Sequence, residues 1–310
     1  MDLGVFVGLA TLDVVHRVDR LPRPNEKVTA LRQDVAAGGP AANAAVVFAA
    51  LGGHARLVTA LGVDPVALLI RAELEARGVE VVDVTPAATT APAVSAVAVT
   101  DSTGERAVTS RDAAGHDVAP PADLAAHLAG AQVVLIDGHH PHLALAAARA
   151  AQDPAVPASE RAIVVLDAGR WKPVLADLLE LVDVAICSAD FRTPDAADRA
   201  SSAIALLEGG VSWVATTHGG DPVRWWHPTA SGPPASGTVA VPQVTVLDTL
   251  GAGDAFHGAF AWFVIQRPLD PDGADLRRAL DSAARVAALR CTIAGPRAWL
   301  ESLRSPTVAR

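Results

Sequence analysis

Apolar residues along this chain fall into short β-type runs, separated by longer alanine- and leucine-rich stretches with helical spacing. The runs at 4–9, 55–60, 132–137, 162–167, 182–187 and 212–217 predict strands. The stretches at 41–51, 66–77, 121–129, 142–151, 173–179, 195–208, 253–266 and 274–290 predict helices. Their alanine content favours close packing against a sheet. Strands alternating with helices in this order predict an α/β fold whose mostly parallel sheet is covered on both faces.

Two stretches break the alternation. Residues of approximately 14–35 and 93–112 switch to the period-two pattern of half-buried strands, as in Val97-Ala98-Val99-Thr100 and Arg106-Ala107-Val108-Thr109. Asp101-Ser102-Thr103-Gly104 between those two reads as a hairpin turn. Together the interruptions predict one small β-sheet lid projecting from a single domain spanning 1–310. Residues 228–242, rich in Pro, Gly, Ser and Thr, read as a loop with room for one short strand.

Composition narrows the chemistry. The chain has 310 residues, 51% hydrophobic and 19% charged, which is too apolar for disorder. Its net charge of −9 gives no overall basic field for nucleic acid or an anionic membrane. Two cysteines make no disulfide framework and fit a reducing compartment. The apolar N-terminus carries Asp2 and Asp13 and no basic region, so it reads as a first strand and not a signal peptide. No apolar run approaches the roughly 20 residues of a membrane span, so a cytoplasmic protein is the expectation. Only Lys27 and Lys172 are lysines, and neither follows the glycine spacing of a P-loop. Protein-kinase motifs are also missing.

The most informative segment runs from Val246 to Phe256 and contains Asp248-Thr249-Leu250-Gly251-Ala252-Gly253-Asp254. It leaves a strand and enters an apolar helix. Glycines at a helix start let free N–H groups approach an anion closely, where the helix dipole adds roughly half a positive charge. A carboxylate in that same turn, Asp254, suits a base that takes a proton from a hydroxyl. The combination suggests phosphoryl transfer. On its own, Gly-x-Gly-Asp is read equally well as an ordinary helix start.

This segment resembles the second signature of the ribokinase-like (PfkB) carbohydrate kinases. Their first signature also has a counterpart, Gly38-Gly39-Pro40-Ala41-Ala42-Asn43-Ala44-Ala45, followed by Leu51-Gly52. The resemblance covers essentially the whole chain and is nearest to ketohexokinase-like and sulfofructose-kinase-like members. It implies a three-layer sandwich with a small β-sheet lid. It also implies an enzyme that uses ATP and Mg²⁺ to phosphorylate a sugar hydroxyl.

Residue by residue, the resemblance makes Asp254 the general base and the Gly251, Ala252 and Gly253 amides the anion hole for the γ-phosphate. Asp248 and Thr249 match positions that help bind a monovalent cation such as K⁺, with carbonyls from 291–295 completing the site. Asp248 alone also reads as a strand-end turn residue. Asp13, Gly38, Gly39 and Asn43 match the sugar pocket, where a carboxylate can accept from two hydroxyls. Thr217 and Gly219 resemble the family's phosphate-facing Thr-x-Gly turn, with Pro222 where a second glycine is usual. Residues 282–287 match an adenine wall and are equally explained by packing. Where many members carry Asn-x-x-Glu, this chain has Ser188-Ala189-Asp190, and Asp190 reads equally as a replacement for the glutamate that orders water around Mg²⁺ and as a solvated loop acid.

For the acceptor, Pro40 occupies a position where members acting on phosphorylated sugars, and ribokinases, often carry lysine. Arg32, Arg106 and Arg111 of the lid are the available anion holders. Asp137-Gly138-His139-His140-Pro141-His142 reads as a metal cluster, an exposed loop or a sugar-pocket segment. In the last reading Asp137 and His139 face the sugar, and His139 replaces the family's arginine. A hexose or ketose is the leading acceptor. A nucleoside kinase of the same fold and a non-catalytic sugar or nucleotide sensor are the alternatives. Lid sheets in this family pair in dimers, and the apolar side of this lid predicts a homodimer.

Overall fold

The computed structural model describes residues 2–114, 118–267 and 273–303. In chain order, β1 (Leu3–Val7) is followed by β2 (Thr11–Val18), β3 (Arg32–Gly38), α1 (Pro40–Ala50), β4 (His54–Thr59) and α2 (Pro65–Ala76). Next come β5 (Val79–Asp83), β6 (Val94–Thr100), β7 (Arg106–Thr109), α3 (Leu124–Leu128), β8 (Val133–Ile136) and α4 (Pro141–Ala151). The chain continues through β9 (Ile163–Ala168), α5 (Leu175–Leu178), β10 (Val184–Cys187), α6 (Arg199–Glu208) and β11 (Trp213–His218). It ends with β12 (Asp221–His227), β13 (Ala235–Val239), α7 (Ala252–Val264), α8 (Ala274–Cys291) and α9 (Leu300–Leu303).

Nine strands form one sheet in the order β13-β12-β11-β10-β9-β8-β1-β4-β5. It is parallel from β11 to β5, and β12 and β13 add an antiparallel edge. The central strands are unbroken buried runs, LGVFV in β1 and VVLI in β8, as expected when helices cover both faces. Alternate residues divide between two cores. Phe6 packs with α1, α7 and α8, while Val5 and Val7 pack with α3, α4 and α6. This is the three-layer sandwich anticipated above.

The lid is a second sheet in the order β3-β2-β6-β7. Strands β2 and β3 extend beyond the expected 14–35, so Asp13 lies inside β2 and Gly38 closes β3, while β6 and β7 fall within 93–112. The hairpin at 101–104 is present, with Gly104 donating to the Thr100 carbonyl at 2.8 Å.

Other differences have local causes. Helix α6 starts at Arg199, not 195, because Asp198 and Ser201 form a capping box. Asp195, by contrast, sits at φ 65 outside the helix. Strand β5 was not anticipated. Strand β12 was also missed, since Pro222 and alternating charge disguise an edge strand. The expected loop at 228–242 contains β13. No helix among the described residues is long and apolar enough to cross a membrane.

Candidate active site

The cleft between lid and sheet collects residues from both ends of the chain. At its centre, α7 begins without a side-chain cap at Gly251, which adopts a left-handed φ of 71 that β-carbon-bearing residues rarely take. Its first-turn N–H groups therefore lack helix partners. An added Cβ on Gly253 would meet nothing within 4 Å, so the turn itself is open, while the Ala252 amide donates to the Thr249 carbonyl at 3.3 Å. This is the geometry of an anion cradle.

Asp254 lies in that turn and lines a cavity of about 150 Å³ with Leu9, Thr11, Asp13, Gly39, Asn43, Ser95, Ser110 and His139. Asn43 Nδ2 donates to Asp254 Oδ2 at 2.7 Å. Burial first, and then the neighbouring Asp167 charge, raise the Asp254 pKa to about 6. That value suits a group that must accept a proton near neutrality. Asp13 faces it from the lid, holding the Thr11 hydroxyl at 2.7 Å. Its pKa is raised by burial, against hydrogen bonds from Thr11 and Ser95 and the charge of Arg297.

Local folding explains why the first signature belongs here. Gly39 turns the chain from lid to α1 at φ 95, and a Cβ there would sit 2.3 Å from the Leu9 carbonyl oxygen. Pro40 occupies the first turn of α1, where no N–H is needed. Gly38 leaves room for the Asp13 carboxylate.

Two expected site residues are buried and held by partners within the protein. Asp137 is 1% exposed and does not line the cavity. Its carboxylate accepts from the backbone N–H groups of Leu9 at 2.9 Å, Ala41 at 3.3 Å and His139 at 2.9 Å. Burial pushes its pKa up, but His139, Lys172 and the backbone donors outweigh this and hold it below the ordinary carboxylate value. Asp137 thus fastens the walls of the pocket. His139 does line the cavity, and its pKa is raised because the Asp137 charge overcomes the effect of burial. Asp248 is 2% exposed and paired with Arg290 at 3.3 Å.

Ahead of α7, Thr249 accepts from Arg106 at 3.2 Å and donates to the lid carbonyl of Gly104 at 3.0 Å. The anion cradle is thereby tied to the lid hairpin. Ser188 donates to the Gly169 carbonyl at 2.7 Å, and Asp190 is exposed beyond it. Thr217 faces the Cys187 carbonyl at 3.4 Å, and Gly219 with Gly220 forms the tight turn between β11 and β12. Pro222 lies within β12. Of residues 282–287, Ala283, Ala284 and Val286 face the core. Ser282 lines an open groove of about 600 Å³ beside Thr238, Ala274 and Arg277.

Sequence reading missed Thr11, Ser95, Asp167, His257 and Arg297. Asp167 ends β9 next to His257 Nε2 at 3.5 Å, and His257 Nδ1 lies 2.8 Å from the Gly253 carbonyl. Arg297 donates to Asn43 Oδ1 at 3.0 Å, to the Ala37 carbonyl at 2.6 Å and to Glu73 at 3.0 Å. These are single residues without a local motif. Only the spacing of Asp167 at a strand end could have pointed to one of them.

Known proteins resemble the chain over nearly its whole length. The chain is 31% identical over 305 residues to the ATP-dependent ribose-1-phosphate kinase of Halopiger xanaduensis, covering 94% of this chain and 92% of the relative. It is 24% identical over 295 residues to ketohexokinase of Mus musculus, covering 93% and 96%. A ribokinase structure from Giardia lamblia superposes with a TM-score of 0.81 at 19% identity, covering 100% of this chain and 98% of that one. The profile described as pfkB family carbohydrate kinase matches residues 1–302, which include both glycine signatures, the lid and the Asp254 turn. The chain therefore belongs to the pfkB family of carbohydrate kinases.

Proposed function

We propose that this kinase transfers the γ-phosphoryl group of ATP to a hydroxyl of an uncharged hexose or ketose. The observation that carries the reading is the placement of Asp254. Its raised carboxylate shares one small cavity with Asp13 and Asn43 and sits in the same turn as the Gly251, Ala252 and Gly253 amides. Asp13 and Asn43 orient the acceptor. Asp254 takes the proton of the attacking hydroxyl as its oxygen bonds to the γ-phosphorus and the bond to the β-phosphate oxygen breaks. The helix amides hold the equatorial oxygens of the transferring group.

Mg²⁺ would neutralise charge on the phosphates, and carboxylates of the hard-oxygen type that Mg²⁺ takes are present in Asp167 and Asp190. Thr217 and Gly219 would face the nucleotide phosphates. The groove at Ser282 would take the base.

The cavity's described lining holds no arginine or lysine, and His139 is its one basic side chain. At about 150 Å³ it is smaller than the roughly 300 Å³ of ordinary drug-sized sites, which suits one sugar ring and disfavours a nucleoside. The Halopiger relative acts on a phosphorylated pentose by its name, and that supports a second reading in which Arg297 holds an anionic tail. Against it, the Arg297 guanidinium is already taken by Glu73, Asn43 and Ala37.

Coupled ADP release measured with neutral hexoses, ketoses and pentoses, ribose 1-phosphate and nucleosides separates these readings. The expected order places a neutral hexose or ketose first. A preference of about tenfold or more in kcat/KM for ribose 1-phosphate would establish the second reading instead.

The outer lid face supports self-association. Val35 is 52% exposed and Val94 is 42% exposed; Ala96 and Ala107 are also exposed, and all four share the side facing away from the cleft. A second copy would cover this face. Sedimentation should give twice the chain mass, and Ala96→Asp should return the monomer mass. A wild-type monomer at high protein concentration would refute the pairing.

A further inference from the structure

The one carboxylate expected to hold a monovalent cation is already paired with an arginine. Arg290, near the end of α8, is 2% exposed, and its Nη2 lies 3.3 Å from Asp248 Oδ2. Its Nη1 donates to the Ile293 carbonyl at 2.9 Å. The Asp248 carboxylate also accepts from the Leu250 amide at 3.0 Å and the Gly295 amide at 2.9 Å. The Cys291 carbonyl accepts from the amides of Leu247 at 2.8 Å and Asp248 at 3.2 Å.

The Asp248 carboxylate and the Cys291 and Ile293 carbonyls are therefore all engaged, and a fixed positive charge sits beside the one carboxylate. A K⁺ ion placed there would add a second buried cation with no further anion to balance it. These residues do not fit a monovalent cation. They do fit a guanidinium, which keeps its charge at any physiological pH and offers donors to a carboxylate and a carbonyl together.

We propose that Arg290 supplies in cis the charge that a monovalent cation provides elsewhere in the fold family, so that this kinase works without K⁺. Arg290 and Gly251 line the same small cavity beneath the start of α7. Through Asp248, Arg290 ties the turn at 293–295 to the loop that presents the Gly251 amide, and so acts as a positioning residue. The inference rests on the reading of those amides as the phosphate cradle.

The test is an exchange of KCl for choline chloride at constant ionic strength, reading the wild-type protein's Tm with ATP and without acceptor, and kcat/KM with the best acceptor. Tm should stay within about 1 °C and kcat/KM within about twofold. A larger K⁺-dependent gain in either quantity would overturn the proposal. Arg290→Ala should lose Tm and turnover, with KCl but not choline chloride restoring part of both. An Arg290→Ala protein with wild-type Tm and turnover in choline chloride would also overturn it. The wild-type exchange decides the matter even if the variant does not fold. Because the Tm arm needs no acceptor, an incorrect acceptor assignment leaves its outcome untouched.

Discussion

Asp254→Asn is expected to lower kcat by about 10²–10⁴-fold while leaving ATP affinity nearly unchanged. The substitution keeps the size of the side chain and a hydrogen bond to Asn43, and it removes only the ability to accept a proton. In the wild type, kcat/KM should fall on the acid side with a midpoint near the Asp254 pKa of about 6. The same variant should be more stable above that pH. A carboxylate whose folded pKa lies above its ordinary 3.8 loses stability as pH rises through the folded value. The ionised, partly buried Asp254 therefore costs on the order of 1–3 kcal/mol at pH 8, and Asn removes that cost. The gain in Tm should shrink as pH falls through 6 and vanish below pH 4. Near-normal turnover in Asp254→Asn would remove the base assignment, and an unchanged Tm at pH 8 would show that the carboxylate is well solvated.

Asp137→Ala is expected to destabilise the fold by about 3–5 kcal/mol, since it leaves three backbone donors and the His139 ring without their anion. For a chain of this size that is a fall in Tm of roughly 6–15 °C. The folded pKa of Asp137 is depressed, so its contribution is complete above the ordinary carboxylate value and is lost as pH falls below it. Stability of the wild type and the variant should converge in acid. A sugar ligand would behave differently, raising KM for the acceptor with Tm intact. Urea unfolding and acceptor KM measured on the same preparation distinguish the two, and a stable variant with a raised KM would restore Asp137 to the sugar pocket.

The contrast between Asp254 and Asp137 shows what could be read before folding. The Gly251 to Asp254 turn carries its chemistry in backbone amides and one adjacent carboxylate, so local spacing is enough to recognise it. The Gly38 to Asn43 segment is similar, because Gly39 and Pro40 mark a required turn into a helix. Asp137 and Asp248 defeat local reading for a common reason. A carboxylate at a strand end looks the same in sequence whether it meets a hydroxyl, a cation, an arginine or three amides. Asp167, Ser95 and Arg297 reach the cleft only through strand order and lid register, and these are set by the whole core. Strand β5 was missed because Val79-Glu80-Val81-Val82-Asp83 is short and follows a long helix without a strong turn signal.

The reach of Arg297 has a consequence for how the protein is made. It contacts Ala37, Asn43 and Glu73, residues laid down more than two hundred positions earlier. The central pairing of Gly4 with Val133 is likewise distant in sequence. Contacts of this span make folding slow and place it late. During translation the acceptor half of the cleft emerges first, with Asn43 unanchored and no base opposite it. The Asp254 turn follows much later, and the clasp on Asn43 comes last. The two halves of the cleft can therefore meet only after nearly the whole chain has been made.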